Sequence, residues 1–125
     1  MTTIKSYTDI EQSKMLAEIL PLESADMNWH ELPSIGFFAR AFSYKRDNGA
    51  TEGLYPCWSL SALIEVLPNK IVVNNENYFL NFTKNNVEYR GIVTWDGQKC
   101  ISTKAENLLD ACYNMIVKLK KDNIL

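Results

Sequence analysis

The sequence has 125 residues, 46% of them hydrophobic and 22% charged, and this length and composition predict a single self-folding domain over residues 1–125. The formal net charge of −2 provides no field to attract phosphate backbones or anionic lipids, so nucleic acid is an unlikely partner. The first residues lack a signal-peptide core and no run of about eighteen apolar residues occurs, which predicts a cytoplasmic protein without a membrane segment.

The first predicted element is a helix that begins at a capping box and ends before Pro21. Thr8 and Glu11 have the spacing at which each side chain bonds the other residue's backbone amide. The apolar residues that follow have helical spacing and predict one buried face: Ile10, Leu16, Ala17, Ile19 and Leu20. Pro21 cannot continue a helix, so we expect the chain to leave it there.

Three segments of different character follow the first helix. Residues 22–33 have no hydrophobic period and predict a connection with little regular structure. Residues 36–44 are rich in aromatic and apolar side chains and predict a strand. Residues 45–53 are polar and rich in turn formers, which predicts an exposed, mobile loop.

A short second helix is predicted over residues 59–67. Its apolar residues recur at intervals of one, three and four, as Leu60, Leu63, Ile64 and Leu67. Pro68 closes it, and Pro56 and Trp58 lie at its entrance. We therefore expect a packed corner where the loop enters this helix.

From Lys70 the apolar period changes to two, which predicts an antiparallel meander. Strands are expected over residues 71–73, 78–82, 87–95 and 98–102. Asp96 and Gly97 form the strongest hairpin signal in the chain, and both are expected to have positive φ.

The last predicted element is a helix from Asn107, its N-cap, to about Lys121. The carboxylate of Asp110 complements the positive end of the helix dipole. The basic residues Lys118, Lys120 and Lys121 lie at the negative end, and we interpret them as complementing the dipole rather than as a binding patch. The whole pattern predicts an α+β fold, in which an antiparallel meander of four to five strands has N-terminal, middle and C-terminal helices packed mainly on one face.

Three stretches of the sequence carry a resemblance. They are YTDIEQSKMLAEILPLESADM at residues 7–27, PCWSLSALIEVLP at residues 56–68 and LDACYNMIVKL at residues 109–119. The chain resembles short uncharacterised proteins encoded by gut anaerobic bacteria and by their phages or other mobile elements. The resemblance implies a bacterial or phage cytosolic setting, and it carries over no activity, ligand or catalytic residue.

The three cysteines, Cys57, Cys100 and Cys112, are odd in number and contain no Cys-x-x-Cys pair. This spacing predicts neither a disulfide framework nor a zinc site. Cys100 and Cys112 are interpreted as small core residues of a strand and a helix.

The sharpest enzymatic hypothesis pairs Cys57 with His30, the only histidine. Cys57 precedes a predicted helix, whose N-terminus could lower the pKa of a thiol, and an imidazole could serve as its base. No second potential metal ligand lies at a metal-binding sequence spacing from His30, and the acidic residues of 23–31 are too irregularly spaced to indicate a metal site. No glycine-rich phosphate loop is present in the sequence. We therefore assign no catalytic residue, no metal and no cofactor, and lean against an enzyme.

Aromatic residues of the predicted meander have two interpretations. Tyr78, Phe82, Tyr89 and Trp95 could form a base-stacking platform, but such platforms need flanking cations. Core and cross-strand packing is the commoner role of strand aromatics, and we favour it.

Two functional hypotheses remain from the sequence. The leading one is a non-enzymatic protein-interaction or regulatory module, which binds a protein partner or itself through the aromatic residues Trp29, Tyr55 and Trp58. The alternative is a small-molecule binding protein or small enzyme with a pocket near Trp29, His30, Cys57 and Trp58. A deep cleft would favour the second hypothesis, and a broad exposed apolar patch would favour the first.

Overall fold

A computed structural model describes residues 5–32, 36–41 and 55–125. It confirms the α+β class, with two antiparallel sheets. In chain order the elements are α1 (Ile10–Ile19), a 3-10 helix (Leu22–Ser24), β1 (Met27–Leu32), β2 (Gly36–Ala41), β3 (Tyr55–Cys57), α2 (Leu60–Val66), β4 (Lys70–Val73), β5 (Glu76–Phe82), β6 (Asn86–Thr94), β7 (Gly97–Lys104) and α3 (Leu108–Lys121).

The chain forms two compact units whose boundary falls within α2. The N-terminal unit comprises residues 6–62, and the C-terminal unit comprises residues 63–125 together with the chain start up to Lys5. The organisation of residues 1–125 as one domain stays a prediction. No helix in residues 5–32, 36–41 and 55–125 is long and apolar enough to cross a membrane.

The first helix is confirmed, but its capping box lies one residue later than predicted. The Asp9 side chain accepts a hydrogen bond from the backbone N–H of Gln12 (2.8 Å), and the Gln12 side chain accepts one from the backbone N–H of Asp9 (3.1 Å). Thr8 cannot serve as the cap because its side chain is buried and bonds Ser13 instead. The helix therefore begins at Ile10.

The prediction of little regular structure over residues 22–33 is wrong. The segment contains the 3-10 helix and β1, the central strand of a three-stranded sheet with order β2-β1-β3. Residues 27–30 alternate apolar and polar as Met-Asn-Trp-His, but polar Asn28 is buried and His30 is half-buried, so polarity does not mark an exposed face of the strand.

The other two strands of this sheet lie at its edges. The predicted strand over residues 36–44 is confirmed as β2 for 36–41, whereas residues 42–44 and the predicted loop at 45–53 lie outside the described residues. The corner expected before α2 contains the short strand β3. Pro56 is tolerated in β3 because an edge strand needs backbone donors on one side only.

The four-stranded meander is confirmed, with order β4-β5-β6-β7. Asn74 and Asn75 form its first turn, with φ of 52° and 65°, as tight hairpin turns require. The turn between β6 and β7 differs from the prediction. Thr94 pairs with Gly97, so Trp95 and Asp96 occupy the turn, and Gly97 has positive φ (121°) while Asp96 does not.

The core of the C-terminal unit lies between α3 and the strands β6 and β7. Asn107 caps α3 as predicted, because its side chain accepts a hydrogen bond from the backbone N–H of Asp110 (2.8 Å). Buried residues of α3 face Val87 and Tyr89 of β6 across this core. Within the N-terminal unit, helix α1 packs against β3.

Candidate functional site

The strand register separates the residues predicted to form one site. Trp29 lies directly opposite Tyr55, and Cys57 lies opposite Met27, so Trp29, Tyr55 and Cys57 share one face of the three-stranded sheet. His30 follows Trp29 in β1 and therefore points to the other face. There it stacks on Phe38, with ring centroids 5.2 Å apart. The Cys57 and His30 pair is therefore not formed.

Cys57 lies in a buried polar cluster beneath α1. Its sulfur lies 3.4 Å from the carbonyl oxygen of Thr8, to which it donates, and accepts a hydrogen bond from Thr8 Oγ1 at 3.6 Å. Thr8 Oγ1 also lies 2.8 Å from Ser13 Oγ. Burial raises the pKa of the Cys57 thiol above its ordinary value, and hydrogen bonds from Thr8 and Ser13 oppose that rise only in part. A buried, protonated thiol is inert, so the nucleophile hypothesis loses its support.

Trp58 is a core residue of the N-terminal unit. It is buried, and its indole N–H donates to Ser24 Oγ at 2.9 Å. Its backbone exchanges hydrogen bonds with Thr8: Thr8 N–H donates to the Trp58 carbonyl (2.9 Å), and Trp58 N–H donates to Thr8 Oγ1 (3.1 Å). Every polar group of Trp58 is therefore used internally.

Trp29 and Tyr55 are half-buried and each already contacts residues near α1. The indole N–H of Trp29 lies 3.1 Å from the Thr8 carbonyl oxygen and 3.2 Å from Ser13 Oγ. The ammonium of Lys14 lies 5.1 Å from the centre of the Tyr55 ring. These contacts attach α1 to the sheet, and the role of both aromatic residues in binding a partner stays a prediction.

The carboxylate of Asp26 has a structural partner. Its oxygens accept hydrogen bonds from the backbone N–H and the hydroxyl of Ser59, and Ser59 in turn caps α2 by accepting from the backbone N–H of Ala62 (3.2 Å). Among the residues that the structure describes, no group of three or more His, Cys, Asp and Glu side chains is arranged to hold a metal ion.

Two of the four aromatic residues of the meander that could have formed a stacking platform lie in the core. Tyr78 and Tyr89 are buried, whereas Trp95 lies in the turn between β6 and β7. Residues on the core side of a sheet cannot stack bases, so the nucleic-acid interpretation loses two of its four aromatic rings.

Exposed apolar residues lie at the end of the β6–β7 hairpin. The last residue of β6 that pairs with β5 is Arg90, whereas β6 and β7 continue to pair as far as Thr94 and Gly97. We call residues 91–99 the hairpin arm, because they extend beyond the four-stranded part of the sheet. Ile92, Val93 and Trp95 are 67%, 72% and 97% exposed.

A β-bulge at the base of the hairpin arm sets the direction of its side chains. Arg90 pairs with Cys100 but Val93 pairs with Gln98, so one extra residue stands in β6 between them. The bulge moves Val93 to the face that carries Arg90, although strict alternation would place it on the other face. The side-chain amide of Gln98 donates to the Gly91 carbonyl oxygen at 2.7 Å and so satisfies the backbone there.

Gly91 is required at the bulge by close packing. A Cβ at this position would lie 3.1 Å from a Tyr78 ring carbon and 3.2 Å from the Lys99 carbonyl oxygen. Tyr78 is buried, so its ring cannot easily move aside. The base of the hairpin arm is therefore fixed by the core of the C-terminal unit.

Cys100 does not lie in the core, and that prediction is wrong, whereas Cys112 is buried in α3 as predicted. Cys100 lies opposite Arg90 on the open face of the meander, because its neighbour Ile101 pairs with buried Tyr89. In the segment Cys-Ile-Ser-Thr at residues 100–103, the adjacent residues Cys100 and Ile101 are both apolar, and adjacent strand residues point to opposite faces. The sequence therefore did not show which of the two faces the core.

Sequence reasoning missed the hairpin arm as a candidate site. The signal was present, since an Asp-Gly turn signal follows directly on Ile-Val-Thr-Trp. Comparison of the chain with protein-family models, curated proteins and solved structures found no match. Function is therefore inferred from the geometry of the chain's own residues.

Proposed function

We propose that the protein is a non-enzymatic protein-interaction module whose contact surface is the hairpin arm. The observation that carries this proposal is the exposure of Trp95, which is 97% exposed and closely follows two further exposed apolar residues, Ile92 and Val93. Tryptophan is the residue type most enriched among those that dominate binding energy in protein interfaces.

The exposed apolar area of the hairpin arm is large for its length. Trp95 alone exposes an aromatic side chain that can bury roughly 150–250 Å². Ile92 and Val93, at 67% and 72% exposed, add to the exposed apolar surface of the arm. Solvation of this surface is unfavourable, and a partner that covers it would remove that cost.

The charges of the hairpin arm favour a protein partner over a polyanion. It carries one acidic residue, Asp96, and one basic residue, Lys99, so its formal charge is balanced. A surface that binds phosphates or anionic lipids would need an excess of cations. An apolar pocket on a protein is the complementary surface that such a neutral, indole-bearing arm fits best.

The open face of the meander could extend the contact. Phe79 and Val72 are 55% and 56% exposed on it, and Phe79 lies in one cross-strand row with Lys70, Arg90 and Cys100. Arg90 is already paired with Glu88 on its own strand. This face therefore offers separate apolar residues in a polar frame, which is typical of the rim of an interface.

The setting of this interaction is also part of the proposal. The resemblance to short proteins of gut anaerobes and their phages supports a bacterial or phage cytosol. No cofactor or metal is included in it.

Site-specific photo-crosslinking in the native cells tests the proposal. A photo-reactive benzoylphenylalanine replaces Trp95 in one variant and Met15, a 41% exposed residue of α1, in a matched control. We expect a crosslinked product with another protein from position 95 and none from position 15. Absence of any hetero-crosslink above the control at position 95 would refute the hairpin arm as the contact surface. Products of twice the 14.3 kDa chain mass report self-association and are scored separately.

A further inference from the structure

Strand β7 leaves one of its backbone edges without a strand partner in the described ranges. It is the last strand in the order β4-β5-β6-β7, and it is eight residues long. Most of its residues are exposed, including all of 97–100. An edge of this length is a template for pairing with another strand unless its side chains prevent it.

The sequence of β7 and its turn is self-complementary in one antiparallel register. When two copies pair about a two-fold axis through Cys100, Asp96 of each copy faces Lys104 of the other. Between these charges, Gly97 faces Thr103, Gln98 faces Ser102 and Lys99 faces Ile101, and the two Cys100 residues face each other on the axis. The whole of β7 is paired in this arrangement, and every basic residue faces a carboxylate or an uncharged side chain.

Neighbouring registers lose this charge match. An axis through Lys99 places two lysines opposite each other, and an axis through Ile101 places Asp96 opposite Glu106. Like charges directly opposite on paired strands are destabilising, whereas opposite charges stabilise the pair. Of these registers, only the one centred on Cys100 places Asp96 of each copy opposite Lys104 of the other.

We propose that a second copy of this chain binds along the edge of β7 and forms a symmetric dimer with one continuous eight-stranded sheet. Strand addition supplies backbone hydrogen bonds, and the two Asp96–Lys104 pairs set the register. The inference does not depend on the hairpin arm contacting another protein. The surface that one strand pair buries is small, so we expect association in the micromolar range, roughly 10–100 µM.

Charge reversal tests the register in solution. Sedimentation velocity in reducing buffer compares the wild type with Asp96→Lys, Lys104→Asp and the double variant that carries both changes. Each single variant places two pairs of like charges in the dimer and should weaken it about tenfold or more, whereas the double variant restores opposite charges and should recover the wild-type constant. Far-ultraviolet circular dichroism verifies that each variant is folded.

Cysteine crosslinking provides a second readout of the same dimer. Diamide takes up the two hydrogens lost when two Cys100 thiols join, and the product is a covalent dimer of twice 14.3 kDa. We expect this product with the wild type, little with Asp96→Lys and none with Cys100→Ser. A wild type that stays monomeric at about 200 µM, above the range expected for so small an interface, would overturn the proposal. So would a dimer whose stability ignores both charge reversals or whose crosslink survives Cys100→Ser.

Discussion

The hydroxyl of Tyr89 donates a hydrogen bond of 2.7 Å to the carbonyl oxygen of Pro68. Tyr89 is buried in β6, and Pro68 ends the segment that leaves α2. Burial raises the pKa of the Tyr89 phenol well above its ordinary value, so the group stays a neutral donor throughout the physiological range. This single bond links β6, an inner strand of the meander, to the connection between α2 and β4.

Replacement of Tyr89 by phenylalanine should lower the free energy of unfolding by about 1–2 kcal/mol, because the Pro68 carbonyl oxygen loses its donor inside the protein. Tyr78→Phe is the matched control, since the Tyr78 hydroxyl lies 3.5 Å from Glu76 and makes a weak bond at best. Urea denaturation followed by circular dichroism measures both variants. Equal losses would show that the Tyr89–Pro68 bond contributes nothing specific.

The second prediction concerns the contribution of the Thr8 hydroxyl to the stability of the N-terminal unit. Its hydroxyl contacts Ser13 Oγ and accepts a hydrogen bond from the Trp58 backbone N–H. Thr8→Val keeps the shape of the side chain but leaves that buried N–H unpaired, so we expect a loss of about 1–3 kcal/mol. The exposed control Thr83→Val should change stability by less than about 0.5 kcal/mol. A Thr8→Val variant as stable as the wild type would contradict the buried cluster.

The third prediction concerns thiol accessibility. At pH 7.5 a maleimide should label Cys100 rapidly, and Cys57 and Cys112 should react only after denaturation, because both are buried and burial raises the pKa of both thiols. Peptide mass spectrometry over a time course gives the rate at each site. Faster labelling at Cys57 than at Cys100 would revive the nucleophile hypothesis.

The fourth prediction concerns stability at alkaline pH. Burial raises the pKa of Cys112 from 9.0 to about 12. The folded state therefore holds its proton between these values while the unfolded state loses it, so the stabilisation is complete below pH 9 and is lost as pH rises to about 12. Each such thiol lowers the free energy of unfolding by at most about 1.4 kcal/mol per pH unit in this window.

Cys112→Ala should reduce that decline, and Cys100→Ala, at an exposed position, serves as the control. Urea denaturation at pH 8, 9 and 10 measures the slope for each variant. Identical slopes for Cys112→Ala and the wild type would contradict the assignment of alkaline sensitivity to this thiol.

The elements with a clear periodicity of apolar residues were predictable from the sequence. In α3, the Asn107 cap and the apolar positions from Leu109 to Leu119 agree, and the structure has the helix where the pattern predicts it. In the meander, the change to alternation after Lys70 gives all four strands. Local propensity and packing coincide at these places, so no knowledge of distant contacts was needed.

Elements that depend on distant contacts were not predictable. Strand β1 has polar residues at positions that become buried only when β2 and β3 pair with it on both sides. Threonine is a residue type that often caps helices, but the Thr8 hydroxyl makes hydrogen bonds with Ser13, Cys57 and Trp58 instead. In both cases tertiary hydrogen bonds outweigh a local preference.

The candidate site was predictable only in kind. An aromatic anchor in a loop was expected, but Trp58 is buried and Trp95 is the exposed one. Trp58 is buried with its indole N–H bonded to Ser24, whereas Trp95 lies in the turn beyond the last residue of β6 that pairs with β5.

The dissociation constant of the protein that crosslinks to position 95 tests the role of the hairpin arm most directly. Isothermal titration with the purified partner compares the wild type, Trp95→Ala and the matched variant Met15→Ala. Loss of the indole should weaken binding by about 30-fold or more, equivalent to about 2 kcal/mol, and Met15→Ala should stay within about twofold of the wild type. Equal affinity of Trp95→Ala and the wild type would contradict the claim that the hairpin arm binds a protein partner.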